Sequence, residues 1–368
     1  MRDTRPTYMD PRANPSGGDW SLERSGALLA AGSEDLTVDE VRFTQLDSNA
    51  VFFSGYNRRA NITHCEFSSL GQSAIASWGF TDNTTTNEAL RGDFPRGTSI
   101  MHNWCHDIGL LQKQSAFYFQ AITAEATIGS NIVFNVPRAG VNFNDGFGGG
   151  SKLVNNLMFN TCRESGDHGA FNSWDRLPYI TDVRQSGVPS TIPAWNDFER
   201  NFIVSNYAAD GGCFDNDDGS SYYKLHHNLC VFGGHKSDFD GHSKVSHNNL
   251  YIYPTVWHIP ACLRELQALP PKGYAEGFYN NTCVMASQND TYIAIADSAC
   301  PASLADGTHL GNNSVLVPRG QARVVCGHHI HDAATFVEQG YDPGTTISAH
   351  MPTTAEMTNW AKALLGMP

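Results

Sequence analysis

Apolar and polar positions alternate in short runs that recur along most of the chain. The recurring phrase is an apolar residue, two unrestricted positions, Asn, one unrestricted position and a second apolar residue. Clear copies lie at 100–105, 128–133, 153–158, 198–203, 225–230, 245–250, 278–283 and 310–315, with degenerate copies at 38–43 and 62–67. Such a repeat, with strand-like alternation inside each copy, is typical of a β-solenoid.

The recurring Asn predicts a buried ladder. Side-chain amides stacked from coil to coil would hydrogen-bond along the solenoid and satisfy the backbone where it bends. We therefore interpret these residues as structural and exclude them from the candidate site. The predicted ladder consists of Asn103, Asn131, Asn156, Asn201, Asn228, Asn248, Asn281 and Asn313.

This pattern resembles the right-handed parallel β-helix of the pectin-lyase-like superfamily over roughly residues 27–330. The resemblance implies an all-β protein, a single-stranded right-handed parallel β-helix of about ten coils. We expect an irregular N-terminal segment at 1–26, the β-helix domain at 27–332 and a C-terminal tail at 333–368. Polysaccharide hydrolases, lyases and epimerases all use this fold, so function has to be argued from a site.

Two helices are predicted outside the coils. One covers 259–269 and is stopped by Pro270 and Pro271. The other begins at a capping-box sequence, in which Thr353 precedes Glu356 by three positions. We expect this C-terminal helix to cover the end of the coil. Its apolar stripe is Met357, Trp360, Ala361 and Leu364.

Composition narrows the classes of partner. The net charge of -13 argues against nucleic-acid and anionic-membrane partners, because both need a basic face. No run of 18 apolar residues predicts a membrane span, and residues 1–20 show no signal-peptide core. The nine cysteines are dispersed, and their odd number leaves at least one thiol free within a single chain. Five glycosylation sequons nevertheless favour a secreted or extracellular protein: Asn61, Asn83, Asn280, Asn289 and Asn312.

A second phrase places carboxylates at equal offsets on successive coils. Aligning the segments after the Asn turns puts Asp145, Asp175 and Asp217 at one offset, with His242 opposite Asp217 on the next coil. Residues at equal offsets in a β-helix lie roughly 4.8 Å apart. Stacked carboxylates raise each other's pKa, so the column is either neutralised by a cation or used for acid–base chemistry. The insertion at 177–197 would form a wall beside it.

The stretches at 166–176 (Gly-Asp-His-Gly-Ala-Phe-Asn-Ser-Trp-Asp-Arg), 215–219 (Asp-Asn-Asp-Asp-Gly) and 236–242 (Lys-Ser-Asp-Phe-Asp-Gly-His) resemble β-helix proteins of glycoside hydrolase family 141. That resemblance implies a catalytic pair, Asp175 and Asp217, with Asp215 and Asp218 as rivals. The remaining candidates for substrate contact are Asp145, His168, Asn172, Trp174, Arg176, His235, Lys236, Asp240 and His242.

Three functions are compatible with this stretch. The first is a glycoside hydrolase acting on a cell-wall or extracellular polysaccharide through paired aspartates, with no required cofactor. The second is a polysaccharide lyase or C5-epimerase acting on uronates, in which Asp217, Asp218 and Asp240 hold Ca²⁺. The third is a non-catalytic glycan-binding or structural protein. The histidines at 226, 227 and 247 belong to the repeat and are interpreted as structural.

Overall fold

The computed structural model describes residues 23–80, 92–144, 149–174, 194–208, 210–237, 241–266, 270 and 273–368. The chain divides into two compact units. Unit 1 is Met1–Ser165 with Ser173–Asp197, and unit 2 is Gly166–Asn172 with Phe198–Pro368.

Short strands make up the described part of unit 1. In chain order they are β1 (Leu28–Ala30), β2 (Ser33–Glu34), β3 (Thr37–Asp39), β4 (Arg42–Leu46), β5 (Val51–Ser54), β6 (Asn57–Arg58), β7 (Asn61–Thr63), β8 (Glu66–Leu70), β9 (Ile75–Trp78), β10 (Pro95–Arg96), β11 (Ser99–Met101), β12 (Trp104–His106), β13 (Tyr118–Ala121), β14 (Thr127–Gly129), β15 (Ile132–Phe134), β16 (Val141–Asn144), β17 (Lys152–Val154) and β18 (Leu157–Phe159). Two further strands contain residues of both units, β19 (Phe171–Trp174) and β20 (Asn196–Glu199).

Unit 2 continues with strands of the same kind and two α-helices. The strands are β21 (Phe202–Val204), β22 (Phe214–Asn216), β23 (Ser221–His226), β24 (Leu229–Val231), β25 (His235–Ser237), β26 (His242–His247), β27 (Leu250–Ile252), β28 (Leu263–Glu265), β29 (Glu276–Tyr279), β30 (Thr282–Val284), β31 (Thr291–Ile295), β32 (Thr308–Gly311), β33 (Ser314–Leu316), β34 (Arg323–Cys326), β35 (His329–Asp332) and β36 (Thr346–Ser348). The α-helices are α1 (Ala333–Glu338) and α2 (Thr354–Leu365), and single 3-10 turns lie at Ala302–Ala305 and Pro318–Gly320.

Each unit contains three long parallel sheets that the chain visits in turn. The orders in unit 1 are β1-β5-β9-β13-β16, β3-β7-β11-β14-β17 and β18-β15-β12-β8-β4, beside the small sheet β10-β6-β2. Those in unit 2 are β22-β25-β28-β31-β34-β35, β23-β26-β29-β32 and β36-β33-β30-β27-β24-β21, with only β35 antiparallel among the strands described there. The repeat phrases are in register, as in Ile62–Ile100–Ile128. The predicted all-β parallel β-helix is confirmed.

The Asn ladder is confirmed in both units, with one correction. In the copy at 245–250 the ladder residue is Asn249 and not the predicted Asn248. The Asn228 backbone and side-chain amides donate to Asn249 Oδ1, and Asn249 Nδ2 donates to Asn281 Oδ1, at 2.9–3.0 Å. Asn248 instead takes the left-handed turn position, with φ of 56°. The prediction was shifted by one residue because Ser246, which is polar, occupies the position that pairs with buried Phe278 and is apolar in the other copies.

Replacing Asn249 by Ala is expected to lower the free energy of unfolding by about 3 kcal/mol. The change removes the acceptor of buried Asn228 amides and the donor to Leu225 O, and unsatisfied buried groups of this kind cost about 1–3 kcal/mol each. Urea unfolding of the variant and the wild type measures this loss of stability. The matched control is Asn248→Gly, which suits the left-handed position and leaves the ladder intact, so an equal loss in both variants would contradict the assignment.

The predicted helix at 259–269 is wrong in its described part. Leu263–Glu265 form strand β28, paired with β25 and β31. Leu263 and Glu265 are buried and Arg264 lies between them more exposed, which is the period of two of a strand. The apolar spacing matched a helix over a few residues, but sheet pairing decided the conformation.

The C-terminal helix is confirmed, although its position differs from the expectation. The Thr353–Glu356 capping box begins α2, and Gly366 ends it with φ of 67°. The helix lies on the face of a sheet, where Met357, Ala361 and Leu364 pack with Leu365 against a cluster of Leu229, Leu250, Ile252 and Val284. The edge of the last coil is met instead by β35, which pairs with β34.

The described chain contains two disulfides and no membrane-spanning helix. Disulfides join Cys262 to Cys283 and Cys300 to Cys326, and five further cysteines are buried thiols. Within the described residues no helix has the length and apolar character needed to cross a bilayer.

Candidate functional site

The structure describes only part of the predicted site. Asp145, Asp175, Arg176 and Asp240 lie outside the described residues, as does most of the 177–197 insertion and the sequon at Asn83. The other predicted site residues are described, and all of them except Trp174 belong to unit 2. The described geometry of the site is therefore that of unit 2.

A buried ion pair lies at the centre of the candidate site. Asp215 on β22 is in register with Lys236 on β25, and Lys236 Nζ lies 3.0 Å from Asp215 Oδ1. The two side chains are 0% and 1% exposed. Since a buried charge is tolerated only when it is paired, each residue requires the other. Asp215, a sequence candidate for catalysis, has no exposed surface with which to meet a substrate.

Asp217 lies beside this pair and reaches the surface, with 17% of its side chain exposed. It directly follows β22 and begins a turn in which Ser220 N donates to Asp217 O at 3.0 Å and Gly219 has φ of 76°. Lys236 Nζ is 3.9 Å from Asp217 Oδ2. The backbone N–H of Asp218 donates to Asp217 Oδ1 at 3.0 Å. This carboxyl group is thus accessible and held at a fixed angle.

Burial raises the pKa of Asp217 above its ordinary value. The Lys236 charge and the Asp218 amide oppose this shift, and the Asp218 and Asp167 carboxylates add to it. A carboxyl group in such surroundings holds its proton to a higher pH than a solvated aspartate. After losing the proton, its carboxylate would be stabilised by the cation and the amide.

A tight turn at Trp257 and His258 lies on the other side of Lys236. Val256 and Ile259 exchange backbone hydrogen bonds of 2.9 and 3.1 Å across it, and both turn residues have positive φ, 49° and 60°. The Lys236 ammonium lies 5.2 Å from the centre of the Trp257 ring, which is 37% exposed. Sequence reasoning missed this residue, because two-residue turns of this conformation usually carry Asn or Gly.

Two predicted contact residues are buried. Asn172 lies on β19 and His235 on β25, and burial argues against direct contact with a substrate. His235 Nε2 lies 2.9 Å from Asn216 Oδ1 and donates its proton there, since the amide oxygen can only accept. His168 is also buried. None of the three side chains therefore has the exposure expected of a residue that contacts a substrate.

Buried His235 is expected to make the protein less stable in mild acid. Burial and the nearby Lys244 charge lower its pKa from 6.5 to about 3. Because the folded pKa is below the unfolded one, this stabilisation is complete above pH 6.5 and is lost as the pH falls toward 3. The free energy of unfolding should fall by about 2 kcal/mol between pH 7 and pH 5 from this residue.

The matched variant isolates that contribution. His235→Gln keeps a donor for Asn216 but cannot take a proton, so urea unfolding at the two pH values should show a smaller loss than the wild type. Exposed His309 offers the control, and His309→Gln should retain the wild-type dependence. An unchanged pH dependence in His235→Gln would contradict the assignment.

The predicted position of His242 is wrong. Strand register places Lys236 opposite Asp215, whereas His242 on β26 pairs with Ser221 on β23, in a different sheet. Its Nδ1 is 3.1 Å from Ser243 Oγ, and its ring packs edge-on against Tyr222 and Tyr274. The offsets counted from the repeat phrase gave the wrong position because strand β25 ends at Ser237 and His242 begins β26, which belongs to another sheet.

Possible metal ligands converge at one place in the part of the chain that the structure describes. The group is Glu199, His226 and His227, with His226 Nδ1 and His227 Nδ1 2.9 Å apart. The suggested Ca²⁺ site needs Asp240, which lies outside the described residues, so it stays a prediction.

The glycosylation sequons also stay predictions. Those at Asn280, Asn289 and Asn312 are exposed, and Asn61 is half-buried. The side chains of Asn280, Asn289 and Asn312 are therefore accessible to solvent, and Asn61 is less accessible.

The similarity of this chain to known proteins is weak. No family model matches the chain, and no curated protein sequence matches it. A solved structure named "Glycoside hydrolase" is similar, with 14% sequence identity and a TM-score of 0.47. The match covers 67% of this chain and 41% of that one, so the chain spans less than half the length of its neighbour.

Proposed function

We propose that the protein is a glycoside hydrolase acting on an extracellular polysaccharide, with Asp217 as the general acid. The observation that carries the proposal is the accessible Asp217 carboxyl group beside the fully buried Asp215–Lys236 pair. Glycoside hydrolysis requires one carboxylic acid that protonates the leaving oxygen and a second carboxylate that acts as nucleophile or base. Asp217 combines access, a fixed orientation and surroundings that retain the proton.

The Asp215–Lys236 pair would position and tune this acid. Asp215 holds the Lys236 ammonium in place, and the ammonium lies close enough to Asp217 to stabilise the carboxylate formed when the proton leaves. In this proposal Asp215 and Lys236 are positioning residues. The assignment separates Asp217 from its neighbour Asp215, which the sequence alone treated as rivals.

The second carboxylate in the proposal is Asp175, assigned by the sequence resemblance. Asp167 is the alternative among the described residues, because its carboxylate acts on the pKa of Asp217. The separation between the acid and its partner determines whether the anomeric configuration is retained or inverted. Turnover by Asp175→Asn and by Asp167→Asn, compared with the wild type, identifies the partner.

A substrate panel tests the function. The purified protein is incubated with xylan, β-glucan, mannan, arabinan and polygalacturonate, and new reducing ends and ultraviolet absorbance are followed together. We expect reducing ends on at least one polymer without the absorbance of an unsaturated uronate. Unsaturated product would identify a lyase. Binding without turnover across the panel would favour a non-catalytic glycan-binding protein.

A further inference from the structure

The Trp257–His258 turn has a backbone conformation that these residues normally avoid. A left-handed conformation costs a non-glycine residue roughly 1–2 kcal/mol, and this turn contains two in succession. Strain of this kind persists only where the surroundings enforce it and is concentrated at ligand-binding sites. Many single residues of the described chain take this conformation, and the Trp257–His258 turn differs in having two non-glycine residues in succession.

Contacts with Asp210 and Arg264 hold the turn in place. Trp257 N donates to Asp210 O at 2.8 Å, and Arg264 Nη1 donates to Trp257 O at 2.9 Å. His258 Nε2 lies 2.6 Å from Asp210 Oδ1. These bonds fix the backbone that carries the indole, and the residue is 37% exposed. A rigid exposed aromatic ring loses little conformational freedom on binding a ligand.

The indole and the proposed acid are neighbours around one ammonium group. Lys236 Nζ is 5.2 Å from the Trp257 ring centre and 3.9 Å from Asp217 Oδ2. The ring and the acid thus lie close enough together for one sugar chain to meet both. Aromatic rings bury the apolar face of a ligand, while polar groups at the edge fix its orientation.

We propose that Trp257 is a stacking platform for a sugar unit next to the scissile bond, and that the Asp210–His258 pair binds the hydroxyl groups of that unit. The inference rests on the proposed hydrolase function and adds the substrate class. The His258 side chain is largely exposed, and the Asp210 carboxylate beside it can accept hydrogen bonds. The ligand class is an uncharged pyranose chain.

Charge explains why an uncharged sugar is favoured. The described carboxylates with exposed surface here are Asp167, Asp210, Asp217 and Asp218. The Lys236 charge is offset by buried Asp215, and Arg264, which is bonded to the Trp257 carbonyl, adds one positive charge beside these four carboxylates. A uronate would bring another negative charge to an acidic surface, whereas hydroxyl groups can donate to these carboxylates.

Binding, separated from turnover, tests the platform. Calorimetry with cellohexaose, xylohexaose, mannohexaose and hexagalacturonate is performed on Asp217→Asn, alone and combined with Trp257→Ala or Trp257→Phe. Trp257→Ala should weaken binding of the neutral oligosaccharide about tenfold or more, and Trp257→Phe should retain most of it. Trp104 in unit 1, which is 47% exposed, offers the control, since Trp104→Ala should bind normally. Thermal unfolding confirms that each variant is folded.

The outcomes separate this inference from the function on which it rests. If the wild type cleaves a glycan and Trp257→Ala keeps its affinity and KM, the platform is refuted while the hydrolase stands. If no glycan is cleaved but neutral oligosaccharides bind through Trp257, the binding subsite stands and the hydrolase fails. Tighter binding of hexagalacturonate than of every neutral probe would overturn the ligand class.

Discussion

Asp217→Asn is expected to reduce glycan hydrolysis by roughly 10²–10⁴-fold, the usual contribution of a general acid, with little change in stability. Asn has the size of Asp, its amide oxygen can still accept the Asp218 N–H, and Lys236 keeps Asp215 as its partner. What it lacks is the proton to donate. Turnover of a responsive polysaccharide and the thermal unfolding midpoint are the two measurements.

The neighbouring variant Asp218→Asn provides the comparison. It keeps the backbone N–H that donates to Asp217 and removes only a carboxylate that raises the pKa of Asp217. Activity should persist, with its loss at high pH moved to a lower pH because Asp217 now releases its proton earlier. Equal inactivation of the two variants would leave the role of Asp217 unsupported.

Lys236→Met is expected to lower the free energy of unfolding by about 3–5 kcal/mol, since it leaves Asp215 buried without its cation. The double variant Asp215→Asn with Lys236→Met should recover most of that loss, because no buried charge remains. Urea unfolding of the two single variants and the double variant gives the coupling. Additive losses would mean that the pair is not energetically linked.

The pH dependence of Lys236→Met follows from the same burial. Without the ammonium, burial raises the folded-state pKa of Asp215 above its unfolded value of about 3.9. A raised carboxyl pKa favours the folded state at low pH, and that stability is lost as the pH rises through the unfolded pKa toward the folded one. The deficit relative to the wild type should therefore grow from pH 4 upward.

The coil architecture could be predicted because its causes are local and repeated. Each clear copy carries the same apolar and Asn positions, so the degenerate copies at 38–43 and 62–67 are identified by their neighbours. The error in the ladder, at Asn248, occurred where Ser246 occupies the position that is apolar in the other copies. The capping box at Thr353 is similarly local, whereas the face on which its helix lies depends on a cluster assembled from distant strands.

The candidate site could be predicted only in outline. The concentration of charged residues around 215–218 was visible, yet the pairing of Asp215 with Lys236 depends on strand register across 21 positions. Strand register also shows that His242 pairs with Ser221 and does not belong to the predicted column of Asp145, Asp175 and Asp217. Trp257 could not be predicted from the sequence because tryptophan disfavours the left-handed backbone conformation that it takes here. Local preference predicts the scaffold best and strained residues worst.

The most direct measurement of the central claim compares Asp217→Asn with the wild type on aryl glycosides whose leaving groups differ in acidity. An acid catalyst matters when the departing oxygen needs a proton, and matters little when the leaving group departs as a stable anion. The variant should lose roughly 10²–10⁴-fold on poor leaving groups and approach wild-type kcat/KM on dinitrophenyl glycosides. An equal loss at every leaving group would contradict the assignment of Asp217 as the proton donor.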